Sequence, residues 1–374
     1  MIAGVVKQAL RRDLLPTDSR YPLTKAATEF IIEHTHLTIE QLELYDLNFE
    51  TLLDALLLLK PASEEDRQRF SRTYWGLYTV LAGTLEAFNH WEVQSRFFRA
   101  LGRIIVDERA PVITFNYDTY IETAISLAAS HDSARLHQAE IEQADFAKGS
   151  GHSAGPRPPP LRKDFGVSNW RRELAYGVEF DEIQTTDYPF RNRFRRGEFY
   201  PSAPPNRVDI QVLKMHGSLN WFRYTGQLAV AAPVGTDLGI QTHRAGSTLL
   251  KDAFIPTGFL PTDGAEYLEP MLITPNQLKR EAVKEEPYAS IWRRAGEILR
   301  KSKRLVAIGY SFSDDHMIDF IRDEVDFSAL EELAIVVPST KRARKIEGVL
   351  GTRIGHQHFT SVEDYVAARL CSVI

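Results

Sequence analysis

Three short clusters in this 374-residue chain hold the residue types that do chemistry. They are Thr114-Phe-Asn116-Tyr-Asp118, Lys214-Met-His216-Gly217-Ser218-Leu-Asn220-Trp221 and Gly309-Tyr-Ser311-Phe-Ser313-Asp314-Asp315-His316. Each follows a brief apolar run. An amide, a carboxylate, an imidazole and a Gly/Ser turn, brought to one edge of a sheet, make a crevice suited to a nucleotide. Each cluster also has a structural use. Asn116 and Asp118 are good helix caps, a lone histidine such as His216 is more often structural than catalytic, and Gly309 permits a tight strand-to-helix turn. The readings part on whether the fold gathers all three.

The elements that must position them are legible from texture. Pro111–Asn116 is a short apolar run with a polar end, and Ile125 and its neighbours then read as helix. Strand, polar tip and helix are the parts of a parallel α/β layer, in which ligands sit beyond the carboxyl ends of strands. The same order recurs at Val208–Leu213, Met271–Thr274, Arg304–Ile308 and Leu333–Val337, which predicts an α/β fold with an open, mostly parallel sheet. The first hundred residues read as helical. Leu52, Leu53, Leu56 and Leu59 recur at helical spacing behind the N-cap residue Asn48, with Glu50 in the first turn. Trp75, Leu77, Tyr78, Leu81 and Leu85 form a second stripe, and Phe97, Leu101, Ile104 and Ile105 a third; all three read as core. Gly149–Pro160 reads as a loop. Arg191–Arg196, four arginines around Phe194, reads as a solvated face in preference to a nucleic-acid or phosphate surface.

Composition removes several classes. Hydrophobic residues at 43%, charged at 25% and aromatic at 10% exclude a disordered chain, a collagen and a long coiled coil. A net charge of −5 gives no global reason to bind nucleic acid or membrane. Cys371 is the only cysteine, so neither an intramolecular disulfide nor a Cys₄ or Cys₂His₂ zinc site can form. Met1–Val6 followed by Lys7 lacks the apolar run of a signal peptide, and no run of about 18 apolar residues follows, so a soluble, cytoplasmic protein is expected. The chain carries no Gly-x-x-x-x-Gly-Lys-Ser/Thr, no Gly-x-Gly-x-x-Gly and no His-Glu-x-x-His. Gly309-Tyr-Ser311-Phe-Ser313 nearly matches the hydrolase elbow Gly-x-Ser-x-Gly, with His356 and His358 downstream. Ser313 stands where that motif needs glycine, and the hydrolase reading leaves the other two clusters unused.

In chain order the three clusters bring in a family. Thr114-Phe-Asn-Tyr-Asp118 followed by Glu122 resembles the Thr-x-Asn-x-Asp motif of sirtuin-like proteins. Lys214-Met-His-Gly-Ser218 resembles their catalytic Lys-Leu-His-Gly, and Gly309-Tyr-Ser-Phe-Ser-Asp314 their late Gly-x-Ser nucleotide loop. Asn48-Phe-Glu50, Thr274-Pro275…Lys279 and Trp292…Ala295 are weaker echoes. The resemblance is to the sirtuin-like NAD-cleaving effectors of bacterial antiphage defence and not to the protein deacylases, because the zinc-binding deacylases of the family use two Cys-x-x-Cys pairs and one cysteine cannot supply four thiolates.

The resemblance implies one Rossmann-like sirtuin-like domain over 1–374, with a helical insertion at about 26–100 and an irregular one at about 126–206. It implies NAD as the substrate, no zinc, and hydrolysis to nicotinamide and ADP-ribose. On matching positions, Asn116 holds the attacking water or ribose near C1′, and His216 is a general base at the ribose hydroxyls. Asp118 contacts the nicotinamide ribose or carboxamide side, Thr114 is a further NAD-binding residue, and Gly309 and Ser311 receive the adenosine ribose and phosphates. Nicotinamide leaves through an oxocarbenium-like transition state, which needs a positioned nucleophile more than a strong acid. It further implies a homo-oligomer controlled by a partner such as a HerA-type hexameric ATPase or a short Argonaute, with no membrane and nucleic acid only through the partner. A non-catalytic nucleotide-binding scaffold is the alternative.

One departure stands out. The family opens with a strand and a Gly-Ala-Gly-x-Ser loop around the pyrophosphate, and here only Ala3-Gly4 precedes a helical pattern. The expected consequence is an empty strand position near the centre of the sheet, flanked by two unpaired edges. The first strand is expected upstream of Met1.

Overall fold

Strands that send alternate side chains into two different cores organise this chain. The computed structural model describes residues 5–11, 22–45, 47–92, 96–129, 170, 175–177, 181–187, 191–196, 208–224, 240–242, 268–273, 283–284, 287–310, 312, 314–350 and 356–371. Helices come first: α1 (Val5–Arg11), α2 (Pro22–Thr35), α3 (Ile39–Leu42), α4 (Phe49–Leu57), α5 (Glu64–Glu92) and α6 (Arg96–Glu108). Next are β1 (Val112–Thr114) and α7 over residues 120–129. After them come β2 (Asp181–Asp187), β3 (Arg191–Arg196), β4 (Val212–Lys214), β5 (Gly217–Tyr224), β6 (Ile240–Thr242) and β7 (Leu268–Leu272). The last stretch alternates: α8 (Tyr288–Lys301), β8 (Arg304–Ile308), α9 (Asp315–Glu324), β9 (Glu332–Val336), α10 (Thr340–Leu350), β10 (His356–Phe359) and α11 (Val362–Cys371).

The helical part obeys its local signals. The Asn48 side chain accepts the Glu50 N–H at 3.0 Å and starts α4, which buries Phe49, Leu52, Leu53 and Leu56. Leu59 leaves its expected stripe because α4 stops at Leu57, and it is exposed. Trp75, Leu77, Tyr78, Leu81 and Leu85 of α5 join the α4 residues and Ile31 of α2 in one core.

Parallel strands form two sheets, β1-β4 and β10-β9-β8. Ile113, Leu213, Leu305, Ala307, Leu333 and Ile335 enter a core closed by α8, α9 and α10. Val112, Val212, Val306, Ala334 and Val336 enter another, closed by α6, α7 and α11. Period-two alternation therefore puts both sheets in one layer between two helical faces. No ladder joins them among the described residues.

The expected single open sheet needs correction. Arg304–Ile308 and Leu333–Val337 form parallel strands where expected, Pro111–Asn116 shortens to β1, and of Val208–Leu213 only Val212 and Leu213 are strand, in a β4 that runs on to Lys214. Met271–Thr274 does not join them. Met271 and Leu272 close β7, which runs antiparallel to β5 in a mixed sheet of order β3-β2-β6-β5-β7. β5 leaves β4 through the Met215-His216 turn, and the Ile273 N–H bonds the His216 carbonyl oxygen at 2.8 Å, which aligns the two strands. His356–Phe359 is a parallel strand on β9 that the sequence did not announce. Arg191–Arg196 is a strand paired with β2. Gly149–Pro160 and much of the expected irregular insertion lie outside the described residues.

Gly102 sets how closely α6 approaches α7. A Cβ there would stand 2.5 Å from the Ala124 carbonyl oxygen. In an open helix, Gly→Ala gains about 1 kcal/mol. Here Gly102→Ala should lose about 1–3 kcal/mol through overpacking, measured by denaturant unfolding; a stabilised variant would show that the helices spread freely.

Candidate functional site

β1 ends at Thr114, whose Oγ1 accepts the Asn116 N–H at 3.2 Å; Asn116 itself is exposed at the tip. Tyr117 turns inward. Its hydroxyl donates to the Ile273 carbonyl oxygen at 2.7 Å, and its own carbonyl oxygen accepts the Leu219 N–H and the Ser218 hydroxyl. Asp118 is buried, and its Oδ1 accepts the Tyr120 N–H at 3.1 Å where α7 begins. The capping role thus falls to Asp118. Its Oδ2 is buried with no hydrogen-bond partner among the described residues, which leaves an acceptor unused at the tip.

Lys214, the last residue of β4, is fully buried, as is Glu122 one turn into α7. The Lys214 ammonium donates to the Asp118 carbonyl oxygen and, at 3.1 Å, to Glu122 Oε1. Glu122 Oε1 also accepts the Tyr176 hydroxyl at 3.1 Å. A buried charge persists only when paired and hydrogen-bonded, so this group ties β4 to the turn that carries Asn116 and Asp118. Burial raises the Asp118 pKa above the ordinary carboxylate range; Lys214 and the Tyr120 N–H oppose the rise, and Glu122 adds to it.

His216 occupies the turn after β4 and is buried. The Phe115 ring meets the His216 ring edge-on at 5.3 Å and stacks on Tyr310 at 4.5 Å. Tyr310 directly follows Gly309 at the end of β8, so one aromatic ring joins all three tips. Gly309 has φ +66°, and its N–H donates to the Val336 carbonyl oxygen at 3.0 Å. A Cβ at that position would touch nothing, so the glycine serves the backbone turn and not a close approach.

The fold therefore gathers Thr114, Asn116, Asp118, His216 and Gly309 at the carboxyl ends of β1, β4 and β8. Ser311 lies outside the described residues. His316 is drawn away and packs on Trp292 at 4.8 Å. His358 bonds the Val337 carbonyl oxygen at 2.9 Å and neighbours Thr340, a structural use. The sequence reading missed Phe115 as the common contact and the Lys214–Glu122–Tyr176 group. A lysine inside the apolar run Val212–Met215 and a glutamate four residues after Asp118 were the available signals. Among the described residues, no group of three or more His, Cys, Asp or Glu side chains is placed to hold a metal. No described helix is long and apolar enough to cross a membrane.

Two stability experiments follow from this geometry. Lys214→Met leaves buried carboxylates uncompensated and should lower stability by about 3–5 kcal/mol; adding Glu122→Leu should recover part of the loss in denaturant unfolding. A carboxyl whose pKa rises on folding weakens the fold as pH climbs above its unfolded value of about 4. Asp118→Asn keeps an acceptor for Tyr120 and removes that dependence. The variant should be more stable than wild type at pH 7, and its advantage should vanish towards pH 3.

Comparison with protein families matches residues 110–348 to the SIR2-like domain. No curated protein matches the chain significantly. The family match opens just before β1 and closes within α10, so it contains all three tips. SIR2-like domains bind NAD and commonly act on it. With more than half of its 374 residues matched, from just before β1 into α10, the chain belongs to the SIR2-like domain family.

Proposed function

We propose that this chain hydrolyses NAD at the nicotinamide–ribose bond, releasing nicotinamide and ADP-ribose. The observation that carries the reading is the Phe115 ring, held between His216 and Tyr310, which draws three polar strand tips to one edge of the parallel layer. In this reading the Gly309 turn and Ser311 take the adenosine ribose and phosphates. Thr114 and Asp118 face the nicotinamide end, where the unused Asp118 Oδ2 accepts a carboxamide N–H. Asn116 holds a water at C1′. The water oxygen bonds to C1′ as the C1′–N bond breaks, and that bond's electron pair returns to the pyridinium nitrogen. The proton lost by the water passes to His216. Positioning the water and stabilising the developing cation account for most of the acceleration.

The order of the three motifs further supports an effector of bacterial antiphage defence, acting in the cytoplasm as a homo-oligomer. A HerA-type ATPase or a short Argonaute is the proposed controlling partner.

Asn116→Ala should reduce nicotinamide release by about 100-fold or more, with stability within about 1 kcal/mol of wild type because the side chain is exposed at a strand tip. His216→Ala should lose activity to a similar extent. Chromatography of NAD incubations, with any partner encoded alongside, reads both effects. Wild-type turnover by either variant would refute the assignment, and ADP-ribose binding without release under every condition would favour the scaffold.

A further inference from the structure

β8 and β9 are neighbouring parallel strands joined through α9, with the Gly309 turn between the first strand and the helix. In a dinucleotide-binding unit of this kind the glycine turn meets the phosphates, and the end of the second strand reads the adenosine ribose. A carboxylate there pairs with a free 2′-hydroxyl, whereas an arginine accommodates a 2′-phosphate. Here the two places touch. The Gly309 N–H donates to the Val336 carbonyl oxygen at 3.0 Å, and Ile308 is the register partner of Val336. The chain just beyond is pinned as well. His358 Nε2 donates to the Val337 carbonyl oxygen at 2.9 Å, and the Thr340 hydroxyl lies 3.4 Å from its Nδ1.

No carboxylate stands at that place. From Leu333 to Ile346 the chain has no Asp or Glu, and Ser339, Thr340, Lys341, Arg342, Arg344 and Lys345 are all exposed. None of these four cations meets an acidic side chain among the described residues, whereas Arg300, Lys303 and Arg304 each do. The charges also work against the helix that carries them. Cations in a first turn oppose the helix dipole, and like charges three or four residues apart repel, as Lys341 does Arg344 and Lys345. α9, packed into the same core, follows the ordinary rule with Asp315 in its first turn, and α10 has no acid in its own. A merely solvated face has no need of that inversion, and a bound anion relieves it. Helical side chains lean towards the amino end, which for Lys341 and Arg342 is the edge that carries Gly309.

We propose that Lys341 and Arg342, with the Ser339 hydroxyl, form a subsite for a phosphate monoester on the 2′ carbon of the adenosine ribose, so that the preferred dinucleotide of this chain is NADP. The inference rests on the reading that the Gly309 turn receives the adenosine ribose and phosphates, and it adds which ribose. Such a phosphate carries about two negative charges and three acceptor oxygens. The guanidinium takes two of the oxygens in its fork and the ammonium adds a second positive charge. The bond cleaved is unchanged. Water adds to C1′ of the other ribose, nicotinamide departs with the bonding electron pair, and the second product is 2′-phospho-ADP-ribose.

Adenosine 2′,5′-bisphosphate and adenosine 5′-monophosphate differ only in the 2′-phosphate and hold no nicotinamide, so they test the subsite apart from catalysis. Titration calorimetry on the full chain should show the bisphosphate binding tighter by about tenfold or more. Nicotinamide release, with any partner encoded alongside, should give a kcat/KM for NADP above that for NAD by a similar factor. Lys341→Gln with Arg342→Gln should bring both ratios close to one. Arg344→Gln with Lys345→Gln removes the same charge one turn further along α10 and should leave both ratios high; thermal melting followed by circular dichroism checks that both double variants are folded. Equal affinity of the wild type for the two nucleotides, a kcat/KM ratio of one or below, or the same loss in both double variants overturns the subsite and leaves the NAD reading standing. Tighter binding of a DNA or RNA duplex than of the bisphosphate, lost with Lys341 and Arg342, assigns the cations to nucleic acid and also overturns it. Preference for the bisphosphate with no nicotinamide from either dinucleotide supports the subsite and refutes the hydrolysis. Binding of neither nucleotide refutes both.

Discussion

A buried ammonium sets the geometry on which the site depends. β1 and β4 are three residues each, and so few rungs specify register weakly. Lys214 supplies what the ladder lacks. Its bonds to the Asp118 carbonyl oxygen and to Glu122 lock the end of β4 against both the β1 tip and the first turn of α7. Two residues further on stands His216, and two residues before Asp118 stands Asn116, so the same tie spaces the two side chains proposed to act on NAD. Sliding either strand would leave a charge buried without its partner, a penalty larger than one ladder bond.

Around that tie the support is aromatic and comes from behind. The Tyr78 hydroxyl on α5 donates to the Leu219 carbonyl oxygen, and the Tyr120 hydroxyl donates to that of Leu85. Tyr117, Leu219 and Leu272 belong to the same core as α4 and α5. The helical segment before β1 is therefore a buttress for the tips. Phe115 carries the contact onward to β8, which no ladder joins to β1 among the described residues. Relative to the β1 tip, the third tip is thus held by side-chain packing and by the two flanking cores, a weaker constraint than a ladder.

Much of this was legible in the residue order. The Asn48 cap, the stripes of α4 and α5 and the polar tips after Pro111, Val208 and Arg304 are local patterns of period 3.6 or 2, and caps and turns act within a few residues. Strand direction was not. Leu268–Leu272 runs antiparallel beside β5, and His356–Phe359 extends the parallel sheet, because pairing depends on which edge is free once distant segments have met.

Local chemistry alone therefore assigned an amide, a carboxylate, an imidazole and a glycine turn to the ends of strands. Folding in three dimensions chose their company: Glu122 for Lys214, 92 residues away in sequence, and Phe115 between His216 and Tyr310. Burial makes that choice. A charge or an orphaned backbone edge is harmless in an unfolded chain bathed in water, and becomes a demand on its neighbours only once the surrounding core has excluded the solvent.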